Sequence, residues 1–410
     1  MSSPKHILYL TYDGLTDPLG QSQILPYMKG LTKYGYRFTV LSFEKKERFK
    51  KNRALIKALT DESNIRWIPL SFTVKPPLVA KFYDAMRMLK KSVALHKEDP
   101  FLMVHCRSYI AADVGLYMKQ KFRTKFFFDM RGFWADEKRD GGHWRDDHPI
   151  TKRVYRYYKG KEKAYLQNAD YVISLTEAGR KEVASWPFYK RDVPMHVIPC
   201  CADMNLFTIT DATQKKESRE LLNIPHDALV FSYLGSVGLW YMLPEMLRLF
   251  NQAKKTYPNA VFLFVTPTPP SVIHSKAAEL DIETSAIIIR EATRKEVPVF
   301  IKASDINVSF IKPVYSKLSS SPTKLGEVLA MGLPVISNSG VGDVEEIVEN
   351  ANAGFIIHDF SDKDFAAAID AIPGLLQKSP SSIRDAIHDI YSLEEGVRQY
   401  AQCYQSILGS

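Results

Sequence analysis

The stretch Ser319-Ser320-Ser321-Pro322-Thr323-Lys324-Leu325-Gly326-Glu327-Val328-Leu329-Ala330-Met331-Gly332-Leu333-Pro334-Val335-Ile336-Ser337-Asn338 reads as loop, helix and strand. Ser321 is a suitable N-cap, Pro322 suits a first helical position, and Gly332 just past Met331 supplies a C-terminal stop. Leu325, Val328 and Leu329 fall at i, i+3 and i+4 and define a buried face, which leaves Thr323 and Glu327 on a polar one. A helix N-terminus offers unpaired N–H groups and partial positive charge to an anion, and Lys324 adds a full charge in the first turn. These features suit a phosphate. Glu327, one turn deeper, is placed to accept from a hydroxyl of a sugar attached to that phosphate, and phosphate plus sugar means a nucleotide. A plainer reading uses the same residues: Ser321 only caps, and Lys324 pairs with Glu327 in an exposed contact worth under about 1 kcal/mol.

The chain has 410 residues, more than one hydrophobic core usually serves, so two domains are expected. No apolar run approaches the roughly 18 residues of a membrane-spanning helix, and Met1-Ser2-Ser3-Pro4-Lys5 has no apolar leader core behind it. The four cysteines show no metal-ligand or CxxC spacing. A reduced, cytoplasmic setting is expected. Charge is uneven: residues 1–205 carry 37 Lys and Arg against 22 Asp and Glu, a net of +15, and residues 206–410 carry 18 against 24, a net of −6. A basic half attracts phosphates, anionic lipid headgroups or nucleic acid.

Apolar runs of strand length recur at 6–12, 36–43, 64–70, 101–106, 125–130, 170–174 and 195–199, separated by helical stretches such as 21–34, 77–96 and 151–168. Further runs follow at 228–234, 260–265, 285–290 and 305–310. Alternation of this kind argues for α/β domains with doubly wound parallel sheets, whose ligands gather at the carboxyl ends of the strands. Several polar groups stand at such ends. They include Gly20 and Gln21 after the first run, His105 and Arg107 after the fourth, and Asp129, Arg131, Trp134 and Glu137 after the fifth. In the second half they are Gly235 and Ser236, Arg290, where a base would stack, and Lys312. Residues 208–220 are charged and aperiodic and read as linker. Asp362-Lys363-Asp364 opens a helix, so helix-start chemistry is favoured there over metal binding.

Glu327-Val328-Leu329-Ala330-Met331-Gly332-Leu333-Pro334-Val335 resembles the C-terminal signature of family 4 (group 1) retaining glycosyltransferases of the GT-B fold, in which a Glu-x7-Glu motif precedes an Ala-Met-Gly-x-Pro-Val turn. Ser319 stands where that family has its first glutamate, in a variant resembling Ser-Pro-Thr-Lys-Leu-x-Glu, and this leaves the identity of the donor sugar open. The resemblance implies two Rossmann-like domains facing across a cleft. Residues 1–205, with a last helix 391–410 crossing back onto them, would bind the acceptor, 206–224 would link, and 225–390 would bind the nucleotide sugar. It implies donor binding by Gly20, Gln21, Gly235, Ser236, Arg290, Lys312, Ser321, Thr323, Lys324, Leu325 and Glu327. Many relatives carry a histidine near 129–137, and this run has none.

The reading reached is a retaining hexosyltransferase-type enzyme that moves a sugar from a nucleotide diphosphate sugar to a saccharide or lipid-linked saccharide in cell-surface glycan synthesis. Lys324, Arg131 and Asp129 are the candidate catalytic residues, and His105, Arg107, Trp134 and Glu137 the candidate acceptor-binding ones. Neither cofactor nor metal is expected, since Lys324 and the helix N-terminus supply positive charge for the leaving diphosphate. Expected partners are the donor, the acceptor and an anionic membrane surface on the cytoplasmic face, and no nucleic acid. The alternatives are a nucleotide-sugar epimerase on the same fold and a non-catalytic basic binder of membrane or nucleic acid, in which Glu327 would be idle.

Overall fold

A computed structural model describes residues 4–189 and 192–409. The residues on which the leader reading began, 1–3, lie outside them. Two compact units divide the chain: 1–199 together with 393–410, and 200–392.

In the first unit seven strands form one parallel sheet. They are β1 (Lys5–Thr11), β2 (Tyr36–Glu44), β3 (Arg66–Ser71), β4 (Met103–Arg107), β5 (Lys125–Asp129), β6 (Tyr171–Ser174) and β7 (Met195–Val197). Their order is β3-β2-β1-β4-β5-β6-β7, so the direction of winding reverses between β1 and β4. Parallel strands covered on both faces read as continuous apolar runs, which is why Ile7-Leu8-Tyr9-Leu10 and Phe126-Phe127-Phe128 are buried throughout. The amphipathic segment 21–34 is not one helix. Pro26 has no N–H to give to an i−4 carbonyl, and the chain forms Pro18–Gln23 and Leu25–Thr32 with a break at Ile24.

The second unit has β8 (Val230–Leu234), β9 (Val261–Val265), β10 (Ile287–Arg290), β11 (Ile306–Ser309), β12 (Val335–Asn338) and β13 (Gly354–Ile357). Its parallel order is β10-β9-β8-β11-β12-β13, with the reversal between β8 and β11. The two-residue period of a strand separates two cores. Val230, Leu234, Val261, Leu263 and Val265 face the layer that holds Val328 and Leu329, whereas Phe231, Tyr233, Phe262 and Phe264 face the other. Residues 208–220, read as linker, hold instead the helix Ala212–Leu222, capped by Asp211. Buried Arg219 ties it down by donating to the Ala303 carbonyl and pairing with Asp305 at 2.7 Å. The charges that suggested a solvated linker are therefore a docking device.

The signature helix runs Thr323–Ala330, one residue later than its sequence implies. Pro322 occupies the cap position, and the Ser321 hydroxyl accepts from the Cys200 N–H at 3.1 Å rather than from the helix. Its end is as read. Gly332 has φ +72°, its N–H meets the Leu329 carbonyl, and the Leu333 N–H meets that of Val328, the paired bonds of a Schellman stop. Asp362–Leu376 likewise starts as a capped helix, with the Ser361 side chain accepting from the Asp364 N–H.

The last helix, Leu393–Leu408, belongs to the first unit. It packs on Leu25–Thr32, where a Cβ on Gly30 would lie 2.6 Å from a Val397 methyl. Gly30→Ala is therefore expected to lower the unfolding midpoint, by about 1–3 kcal/mol of stability, because valine has a stiff χ1 and cannot turn aside. Adding Val397→Ala should reverse the sign, since alanine then gains its helix propensity of up to about 1 kcal/mol over glycine. Denaturant unfolding of the single and double variants checks both signs.

Candidate active site

In the second unit the reversal between β8 and β11 opens a crevice at the carboxyl ends of the strands, the position where doubly wound sheets bind ligands. The loops after these strands are tied together. The Lys312 N–H donates to the Trp240 carbonyl at 2.9 Å and the Met242 N–H to that of Phe310 at 3.0 Å. Gly235 has φ +129°, and Ser236 is exposed with its carbonyl accepting from the Tyr233 hydroxyl. Lys312 is exposed, while Lys317, which the sequence did not single out, is buried with its ammonium 4.0 Å from the centre of the Trp240 ring. The signature helix enters from the β11 side, with Ser321, Thr323 and Lys324 half-exposed at its N-terminus.

Glu327 is not on a polar face: its exposure is 0%. A buried carboxylate must be paired. Oε2 meets Lys324 Nζ at 2.7 Å, and Oε1 meets an Arg294 nitrogen at 2.8 Å. The i, i+3 pair of the plainer reading is thus real but not a solvated contact. Arg294, which also lies over the Phe207 ring, arrives from the loop after β10 and has no local sequence signal. Leu325, assigned to the donor, points its side chain into the core. Arg290 ends the edge strand β10, exposed, with Nη1 on its neighbour's carbonyl.

The first unit differs more from expectation. Gly20 lies within the helix Pro18–Gln23, against the backbone of Gly14, and not in a loop. The preceding loop does bind an anion, supplied by the chain itself: buried Glu44 accepts from the N–H groups of Leu15 at 2.8 Å and Thr16 at 3.1 Å. Gln21 reaches back to the Thr16 carbonyl at 3.1 Å. An acid ending the apolar strand Phe38-Thr39-Val40-Leu41-Ser42-Phe43 was the legible sign.

His105, Arg107 and Asp129 are buried at the carboxyl ends of β4 and β5, and the two adjoining turns, at Ser108 and Arg131, have positive φ. His105 Nε2 is 3.4 Å from Asp129 Oδ2, its Nδ1 is 2.6 Å from the Tyr404 hydroxyl, and its ring lies between Tyr9 and Phe127. The Tyr400 hydroxyl donates to Asp129 at 3.3 Å, and the guanidinium groups of Arg107 and Arg131 lie 3.8 Å from that carboxylate. At 2% exposure His105 is enclosed by rings and, through Tyr404, fixes the last helix to the sheet. Burial pushes the Asp129 carboxyl up, but Arg131, the His105 hydrogen bond and Arg107 together hold it below its ordinary value. Burial lowers His105, against the pull of Asp129.

Trp134 packs edge-to-face with Trp144 and Tyr158 and tilted against Tyr109, with Lys81 Nζ 4.8 Å from its ring. Burial and the neighbouring Lys138 hold Lys81 down to about 8. Glu137, half-exposed, follows on the same helix, and Asp136 is the buried acid there, accepting from Tyr155 and Lys159. Among the described residues no group of three or more His, Cys, Asp or Glu is placed to hold a metal ion, and no helix is long and apolar enough to cross a membrane.

Residues 23–206 match the family model described as Glycosyltransferase Family 4, and residues 214–374 match Glycosyl transferases group 1. The chain is a glycosyltransferase. Each unit of the enzyme carries most of one match. No curated protein sequence matches it. Similar solved structures include sucrose-phosphate synthase from Thermosynechococcus elongatus, with TM-score 0.75, 16% identity and coverage of 98% of this chain and 99% of that one. Anabaena HepE in complex with UDP and glucose gives 0.70, 15%, 98% and 99%. WaaG, described as a glycosyltransferase involved in lipopolysaccharide biosynthesis, gives 0.70, 14%, 98% and 100%. At these identities the likeness shows the fold, GT-B.

Buried His105 gives a pH dependence with a definite sign. Unfolded histidine titrates near about 6.5, so below that pH the unfolded chain binds more protons than the folded one and stability falls. His6 and His96, also lowered by burial, add in the same direction. His105→Gln should flatten the decline below pH 7 by up to about 1.4 kcal/mol per pH unit, read from denaturant midpoints across pH 5–7. An unchanged slope contradicts a neutral buried His105.

Proposed function

We propose that the enzyme is a retaining glycosyltransferase whose 200–392 unit holds a nucleoside diphosphate sugar and whose other unit receives a saccharide or lipid-linked saccharide in cell-surface glycan synthesis. One observation carries the reading: Lys324 and the N–H groups of the signature helix's first turn stand at the crevice beside a buried carboxylate, Glu327, that is paired with two cationic side chains. The complex of HepE with UDP, on the same fold, supports the donor class. A diphosphate at this N-terminus draws Lys324 Nζ off Glu327, and the carboxylate oxygen so freed accepts from a ribose hydroxyl. Lys324 is the mobile partner, with 37% of its side chain exposed against 18% for Arg294. The retaining outcome rests on the family resemblance. Charge that develops on the departing diphosphate is met by the fixed helix N-terminus and by Lys324, turned to the phosphate once the donor is bound, and needs no divalent ion. Lys317 and Lys312 beside Trp240 supply the cations that the Gly235 loop lacks.

Steady-state kinetics on a panel of nucleotide sugars tests these roles. Ribose contacts do not change during reaction, so Glu327→Gln should raise the Michaelis constant for donor by about 10- to 150-fold, the worth of a charge-assisted hydrogen bond, with turnover kept. Lys324→Ala should fall mainly on kcat, and EDTA should leave wild-type turnover intact. Kinetics at saturating donor unchanged in both variants, with stability alone reduced, would return the three residues to a structural ion cluster.

A further inference from the structure

The helix Pro77–Glu98 carries apolar side chains on two faces. Ala80, Met88 and Leu95, with Asp84 and Ser92, are buried against the sheet. Val79, Phe82, Tyr83 and Met86 are spaced i, i+3, i+4, i+7, roughly 180° around the helix from that face, and are exposed by 62%, 69%, 55% and 39%. Val74, just before the helix, is exposed by 67%. A contiguous exposed stripe of this kind marks a docking surface.

Charge around the stripe selects its occupant. Lys75, Lys90, Lys91 and Lys97 are exposed on the same segment. Its acids are all engaged: Asp84 is buried on Arg87, Thr73 and Tyr12, Glu98 pairs with Arg66, and Asp99 with Arg37. An apolar stripe rimmed by uncompensated lysines is complementary to a bilayer whose headgroups are anionic. A second copy would set lysines against lysines.

We infer that this helix lies in the surface of an anionic membrane, with Val79, Phe82, Tyr83 and Met86 at the headgroup boundary and the flanking lysines on the lipid phosphates. The inference adds the acceptor's surroundings to the glycosyl-transfer reading and is tested without turnover. The full-length protein is sedimented with vesicles of phosphatidylglycerol and phosphatidylcholine in equal parts, and with phosphatidylcholine alone. Wild type should bind the first, more weakly in 0.5 M salt, and bind the second at least about tenfold less. Phe82→Ser with Met86→Ser should reduce binding by about 100-fold or more with an unchanged unfolding midpoint, because both side chains are solvent-exposed in the free protein. Phe82→Trp should show a blue-shifted emission on the anionic vesicles only. Absence of wild-type binding, binding that ignores the double substitution, or a dimer in sedimentation velocity that the double substitution dissolves would each overturn the inference. UDP binding measured on the same samples separates the two readings: vesicle binding lost with UDP binding intact overturns this inference alone.

Discussion

A carboxylate with no exposed surface has to be neutralised where it sits, and Glu327 meets that demand with one cation from its own helix and one from the loop after β10. Removing a single partner from such a cluster leaves a buried charge, so its three members are constrained together. The constraint reaches outward. It orients Lys324 along the first turn of the signature helix, anchors the 291–296 loop through Arg294, and packs that guanidinium on Phe207. The Schellman stop at Gly332 fixes the other end of the helix, where a Cβ would strike Pro380. A ligand group that takes over one of the two cations therefore meets a site already charged and already aimed.

The first unit contains a counterpart made for a different purpose. Asp129 is enclosed by His105, Arg107, Arg131 and Tyr400, and Tyr404 completes the chain of polar contacts to the last helix. Two tyrosines from residues 393–408 thus close a network that begins at the ends of β4 and β5, and Gly30 against Val397 sets how near that helix comes. Buried ionic groups of this kind add little net stability over apolar packing, but they penalise every arrangement that leaves one member unpaired. The last helix is held in register by that penalty.

The parallel sheets and the stop of the signature helix were legible because they follow from local rules: strand-length apolar runs, helix period, and a glycine at a stop; the start of that helix was not, because Ser321 turns to Cys200 and Pro322 takes the cap position. The aromatic and aliphatic alternation in Val261-Phe262-Leu263-Phe264-Val265 even separates the two core layers. What escaped was set by partners far along the chain. Glu327 looked polar by its period and is buried because Arg294 comes to it, and His105 looked accessible at a strand end until Tyr400 and Tyr404 cover it. Glu44 reaches the Leu15 and Thr16 N–H groups from the end of β2, a partner set far along the chain from the glycines around them. The break at Ile24 follows from Pro26, which the helical period of 21–34 does not register.

The account turns on what the signature helix N-terminus holds, and a crystal structure of the enzyme with UDP tests that most directly. The account predicts a phosphate oxygen about 3 Å from the backbone N–H of Thr323 or Lys324, with Lys324 Nζ turned to the phosphate and a ribose hydroxyl on Glu327. UDP bound elsewhere, with the Lys324–Glu327 contact intact at 2.7 Å, would contradict it.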